Sequence, residues 1–211
     1  MCWRVVADTA VPSIAVPEAW YDDLTRLGGP TTPAGIIRQL LRDPLFRVLF
    51  TLRAWQAATS SGTGGVWCRK LAGRAHLWTT RRAAMDFPVS LTVAPGLAIT
   101  HGWGLVVAPG TVIGRNVTLF HGVTLGTRDR IDDTGERTNL GVPTIDDEVW
   151  IGPGACVLGP VHVGRGARIG AGAIVITDVP AGAVVVAGPA RVARLGSPPD
   201  VVNPAPDRRA Q

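Results

Sequence analysis

The chain has 211 residues, 46% of them hydrophobic and 18% charged, enough to bury a real core in one or two compact units. No uncharged apolar run reaches the roughly 20 residues a bilayer span needs, and the opening residues do not form a secretory signal, so a cytoplasmic protein without a membrane partner is expected. Cys2, Cys68 and Cys156 are too few for a disulfide framework or a four-thiolate metal site, and the net charge of +5 suits a polyanionic cofactor.

Residues 1–16 read as an irregular lead-in. Pro17 then suits the first turn of a helix, PEAWYDDLTRL, closed by Gly28-Gly29-Pro30. A longer helix is predicted from about Pro33 to Thr59, where Ile36, Ile37, Leu40, Leu41, Leu45, Val48 and Leu52 recur at three- and four-residue spacings. The Ser- and Gly-rich run at 60–65 breaks it, and a third helix is predicted from Val66 to about Met85. Lys70 is the only lysine beside twenty arginines, a bias expected of a GC-rich genome. Many arginines between Arg38 and Arg82 are interleaved with Trp55, Trp67 and Trp78. No nucleic-acid motif accompanies them, so solvated helix faces with the tryptophans in the core are expected, and no nucleic-acid partner.

From about Phe87 the period becomes six. Ile99, Leu105, Thr111, Val117 and Val123 follow one another at that interval, and so do His101, Val107, Ile113, Leu119 and Leu125. The beat resumes with Val149, Ala155, Val161, Ala167, Ala173 and Val179, beside Val163, Ile169 and Val175. Such a period fits neither a helix nor an exposed strand; it marks a parallel β-helix with small or aliphatic residues facing the axis. The chain therefore divides into a helical region 1–85, a β-helix 86–195 and a disordered tail 196–211. Thr127 to Asp147 breaks the phase and leaves the coil as a charged loop, the kind of segment that carries function on a rigid solenoid.

His101 stands at a position the series otherwise gives to aliphatic residues, and a titratable ring there points to function. Around it the chain resembles the serine O-acetyltransferase group of hexapeptide-repeat acyltransferases. The resemblance is carried by His101-Gly-Trp-Gly-Leu-Val-Val, by Asn116-Val-Thr-Leu-Phe-His-Gly-Val-Thr-Leu-Gly126, by the runs Val149 to Gly159 and Val163 to Gly172, and by Gly188-Pro-Ala-Arg191, with an echo in Asp43-Pro-Leu-Phe-Arg47. It implies a mainly β fold, a left-handed coil behind the helical region, and a homotrimer or dimer of trimers with active sites between neighbouring subunits. It also implies an acetyl-CoA-dependent transfer to a small hydroxyl acceptor, with no metal.

Residue by residue, the resemblance makes His101 the general base, Asp86 its carboxylate partner and the backbone around Gly126 the oxyanion donor. Acetyl-CoA would lie along Gly126, Trp150, Ala171 and Arg191, although one family backbone donor falls on Pro153, which has no N–H. The acceptor would meet Thr100, Trp103, His121, Arg128 and Arg130. Here the pattern departs from the family: Gly141-Val142 stand where an Arg-His pair holds the serine carboxylate, and Thr100 replaces an aspartate. An acceptor other than serine, such as a sugar or a secondary-metabolite intermediate, is the alternative that follows. The terminal Gln211 differs from the isoleucine with which the family docks a sulfhydrylase, so that complex is not expected. Two further alternatives stand beside the transferase: a zinc enzyme like the γ-class carbonic anhydrases, which needs three converging histidines, and a non-catalytic scaffold.

Overall fold

The computed structural model describes residues 16–60 and 65–188. Four helices come first: α1 (Val16–Arg26), α2 (Pro33–Arg42), α3 (Pro44–Ser60) and α4 (Val66–Arg82). The single long helix expected from Pro33 to Thr59 is two. Pro44 disfavours helical backbone in the residue before it, and Asp43 is extended at φ −113°, ψ 111°. The Asp43 carboxylate then accepts the Leu45 N–H at 2.8 Å and starts α3. α4 stops at Arg82, short of the expected Met85, and Ala84 turns the chain at φ +52°.

The tryptophans of α4 are a second correction. Trp67 is 76% and Trp78 54% exposed, whereas Trp55 on α3 is half-buried. α4 turns its small and polar side inward: His76, Thr79 and Thr80 are buried, and a β-carbon on Gly73 would lie 3.7 Å from the Trp55 ring. Both exposed indoles fall on the opposite side of the helix.

After α4 the chain winds into five coils of a three-faced prism. The first coil holds β1 (Thr92–Val93) and β2 (Ala98–Thr100); the second holds β3 (Val106–Val107), β4 (Val112–Ile113) and β5 (Thr118–Phe120). The third opens with β6 (Thr124–Gly126), throws out a hairpin of β7 (Asp129–Ile131) and β8 (Arg137–Asn139), and returns as β9 (Thr144–Ile145) and β10 (Trp150–Ile151). β11 (Cys156–Leu158), β12 (His162–Val163) and β13 (Arg168–Ile169) make the fourth, and β14 (Ile174–Val175) and β15 (Val184–Val185) the fifth. Stacked coils give three parallel sheets: face A of β3, β6, β11 and β14; face B of β1, β4, β9 and β12; face C of β2, β5, β10, β13 and β15. This is the parallel β-helix that the six-residue period predicts.

Inward residues fill the prism with one continuous core, and the expected series from Val149 to Val179 and from Val163 to Val175 is buried throughout. Val48, Leu49 and Leu52 of α3 join the same core and close the first coil. A buried ion pair ties the helices to it. Arg53 grips Asp23 through Nε and Nη2 at 2.9 and 3.0 Å and donates to the carbonyls of Val93 and Ala94. Asp23 in turn accepts the N–H groups of Gly96 and Leu97.

Register corrects the phase read around His101. Coils of 18 residues separate Cys156 from Ile174, but Thr92 pairs with Val112, so the first coil holds 20. Ile99 lies opposite Leu119, and Trp103 accepts the Gly122 N–H at 2.8 Å. The two extra residues are therefore His101 and Gly102. Ile99 fills the aliphatic position, and the six-residue interval from His101 to Val107 is a coincidence of the insertion. The third coil holds 32 residues, since Thr124 pairs with Cys156. Its loop is shorter than the expected 127–147: the chain is back in the prism at Thr144, and Leu140 closes the neck on the Arg128 carbonyl.

Candidate active site

The turn from face C to face A stacks coil on coil into one edge of the prism. Gly104 bonds to Ala84, Gly122 to Trp103, Gly154 to His121 and Gly172 to Pro153, all through N–H to carbonyl contacts of 2.8–3.0 Å. The inserted pair bulges from this edge in the first coil. His101 sits at φ +57°, a conformation non-glycine residues rarely adopt, and its side chain is exposed. Gly102 beside it is buried: a β-carbon there would come within 2.9 Å of Met85, Ile99 and Leu45, so glycine lets the turn press onto the core.

Three rings gather on this edge. His101 lies 5.8 Å from Trp103 and 6.1 Å from His121, and Trp103 lies 6.5 Å from His121, between centroids. Trp103 is 65% exposed. His121 is half-buried, and its Nδ1 has no hydrogen-bond partner among the described residues. Neither ring nitrogen of His101 is bonded among them. Thr100, the last residue of β2, pairs opposite Phe120 directly before the bulge.

The same edge continues upward past the residues assigned to the acyl donor. Trp150 of β10 packs edge-on against Phe120 at 4.9 Å on face C. Ala171 is exposed two coils above His121, and among the described residues its N–H meets no backbone carbonyl. Pro153, between them in the stack, offers a carbonyl and no N–H. Arg191 lies outside the described residues.

Asp86 belongs to the first coil, where it bridges Val106 at the start of face A, next to the Ala84–Met85 backbone on which the His101 turn rests. Its carboxylate is exposed and makes no hydrogen bond to His101, so the expected dyad is a shared edge without a direct contact.

Gly126, Arg128 and Arg130 lie elsewhere. Gly126 ends β6 opposite Leu158, at the edge between faces A and B where the loop departs. Arg128 is committed to structure, donating through Nη1 to the Ile176 carbonyl at 3.1 Å. Arg130 is exposed on the β7–β8 hairpin, and Gly141 and Val142 follow at its return. One chain thus brings His101, Asp86, Thr100, Trp103, His121, Trp150 and Ala171 to one edge and Gly126, Arg128 and Arg130 to another. The hairpin was missed in the sequence, although Asp132-Asp133-Thr134-Gly135 carried its turn chemistry: the Asp132 carboxylate accepts from Thr134 and Glu136. The remaining histidines do not converge. His76 is buried among the helices and His162 pairs with Asp146 on face B; among the described residues no three His, Cys, Asp or Glu side chains are placed to hold a metal ion.

The prism of hexapeptide coils has the architecture of the hexapeptide-repeat transferases, and residues 143–177 match the model of the family described as bacterial transferase hexapeptide (six repeats). The serine acetyltransferase of Bacillus licheniformis is 38% identical over 146 residues, 64% of this chain and 65% of that protein. That of Bacillus subtilis is 36% identical over 163 residues, 72% of this chain and 70% of its own length. Among solved structures, soybean serine acetyltransferase superposes with a TM-score of 0.62 at 32% identity, covering 83% of this chain and 68% of that one. The Neisseria gonorrhoeae enzyme gives 0.60 at 28%, covering 83% and 65%. The chain belongs to the serine acetyltransferase family. It spans just under two thirds of the Bacillus licheniformis and Bacillus pumilus relatives.

Proposed function

We propose that this protein is an acetyl-CoA-dependent O-acetyltransferase, acting in the cytoplasm as a homotrimer or a dimer of trimers, with His101 as general base. The carrying observation is the bulge itself. A two-residue insertion in an otherwise regular coil lifts the imidazole out of the prism, beside two other rings and below the Ala171 N–H, both without a partner among the described residues. In the reaction, His101 takes the proton of the acceptor hydroxyl as its oxygen attacks the thioester carbonyl. The C–S bond then breaks, and the imidazolium returns the proton to the departing thiolate. Asp86, at the same edge, would stabilise the imidazolium once the site closes around its substrates. Trp150 and Ala171 would hold the acyl donor along the edge, and the backbone at Gly126 of a neighbouring subunit would face the oxyanion.

A second reading concerns the acceptor alone. Trp103 presents an exposed indole 5.8 Å from His101, and Gly141-Val142 offer no charge to a carboxylate. Both favour a larger or flatter hydroxyl acceptor, a sugar or a secondary-metabolite intermediate, over serine.

Thiol release from acetyl-CoA across a panel of hydroxyl acceptors, with serine as reference, tests both readings. His101→Ala should lower kcat/KM by about 10²–10⁴ without changing the thermal midpoint, because the ring is exposed and unbonded. A variant as active as the parent removes His101 from the chemistry. Turnover on serine equal to or above every other acceptor removes the second reading and keeps the first.

A further inference from the structure

The outer face of α4 has no role in the acetyl-transfer site. Trp67, Leu71 and Trp78 recur at four- and seven-residue spacings, so they form one stripe along the helix. They are 76%, 66% and 54% exposed. The two indoles are separated by eleven residues, about 16 Å of helix. A helix buried on one side ordinarily turns polar residues to water on the other; α4 sets its largest apolar side chains there.

The charge around this stripe is one-sided. α4 carries Arg69, Lys70, Arg74, Arg81 and Arg82 and no acidic residue. None of these five has an ion-pair partner among the described residues. Between Pro33 and Met85 nine basic residues stand against one acidic residue, Asp43. Arg74, Arg81 and Arg82 line an open, shallow concavity with Leu77 and Trp78. The Lys70 ammonium lies 5.4 Å over the Trp67 ring and the Arg82 guanidinium 4.9 Å over that of Trp78, so cations and indoles form one surface.

We propose that the outer face of α4 attaches the protein to the surface of an anionic lipid bilayer. Indoles and leucine would enter the headgroup boundary while the arginines meet lipid phosphates, the division of labour of an interfacial helix. Charge selects this occupant over the alternatives. A second copy of the same face would bring two excesses of positive charge together. A nucleic acid would satisfy the arginines and stack bases on the indoles, but it leaves Leu71 in water where a bilayer buries it. That no helix among the described residues is long and apolar enough to cross a membrane bears on insertion, not on attachment at the surface.

The proposal is independent of the acetyl-transfer reading, because its readout is partition. The full chain is sedimented with phosphatidylcholine vesicles containing about a third phosphatidylglycerol, and with pure phosphatidylcholine vesicles, at low and high salt. It should pellet with the anionic vesicles only, and high salt should weaken the partition at least about tenfold. Arg74→Glu with Arg81→Glu, and separately Trp67→Ser with Trp78→Ser, should each lower partition by at least about tenfold, with circular dichroism, solution mass and acetyl-CoA turnover unchanged. Equal binding to neutral vesicles, no binding to either, or full retention in either double variant overturns the proposal. So does a fall in solution mass on removing the tryptophans, which would assign the stripe to a second copy, or binding of a single-stranded DNA oligomer without binding of vesicles.

Discussion

His76 and His101 stand 25 residues apart and are prepared in opposite ways. His101 is exposed, with both ring nitrogens unbonded among the described residues, which suits the proton-transfer role proposed for it. His76 is buried, with Nε2 2.7 Å from the Phe87 carbonyl and Nδ1 3.1 Å from the Thr51 hydroxyl. A carbonyl only accepts, so Nε2 carries the proton of the neutral ring and Nδ1 is the side that would have to charge. Burial pushes the His76 imidazolium below its ordinary value of 6.5, outweighing the Phe87 and Val48 backbone contacts that pull the other way. The unfolded chain therefore binds a proton near pH 6.5 that the folded chain still refuses. Stability from this residue is complete above that pH and is lost as pH falls toward the depressed folded value. The thermal midpoint should hold between pH 8 and 7, decline below about 6.5, and decline less steeply in His76→Gln. Equal slopes for parent and variant would mean that His76 charges as easily in the folded chain as in the unfolded one.

At the scale of elements, one buried ion pair ties the helices to the prism, beside the apolar contacts of Val48, Leu49 and Leu52. Arg53 of α3 and Asp23 of α1 satisfy each other and four backbone groups of residues 93–97. Removing one partner strands the other charge in the interior. Asp23→Ala or Arg53→Ala should each cost about 3–5 kcal/mol, a fall in the thermal midpoint of roughly 6–20 °C for a chain of this size. Scanning calorimetry of the singles and the double variant measures it, and the double should lose less than the sum of the two. Pairing of this kind leaves no trace in local sequence, since thirty residues separate the partners. The coils, by contrast, were legible because each inward position admits only small or aliphatic side chains, and Val149 to Val179 repeat that demand at every sixth residue. Pro44 signalled the break between α2 and α3 as any proline does, yet the apolar spacing ran through it. His101 was selected on a false phase, because two inserted residues restored a six-residue interval to Val107 by accident. The residue proposed to carry the chemistry was visible, and its position in the coil was not. Trp67 and Trp78 failed for a related reason: composition says that indoles prefer burial, but only the packing of α4 shows which side of the helix is taken.

For the whole molecule, the separation of the two edges decides what assembly the proposed chemistry needs. His101 marks the edge between faces C and A, and Gly126 the edge between A and B, so face A lies between them in one chain. Val106 and Ile174 point outward from that face and are exposed, so it is apolar where another subunit would cover it. A ring of three copies closes when the C–A edge of each meets the A–B edge of the next, a heterologous contact that returns on itself. Each site then draws His101 from one subunit and the Gly126 backbone from its neighbour. The consequence is complementation. His101→Ala and a Gly126→Val variant, in which the added side chain would meet Leu158, should each be inactive alone. Unfolded and refolded together in equal amounts, they should recover about a quarter of parental acetyl transfer, because random mixing leaves about one site in four with both residues intact. Sedimentation of the mixture should give one species at the parental mass. Recovery of no activity at that mass would place His101 and Gly126 in the same subunit's site, and a monomeric mass would remove the shared edge altogether.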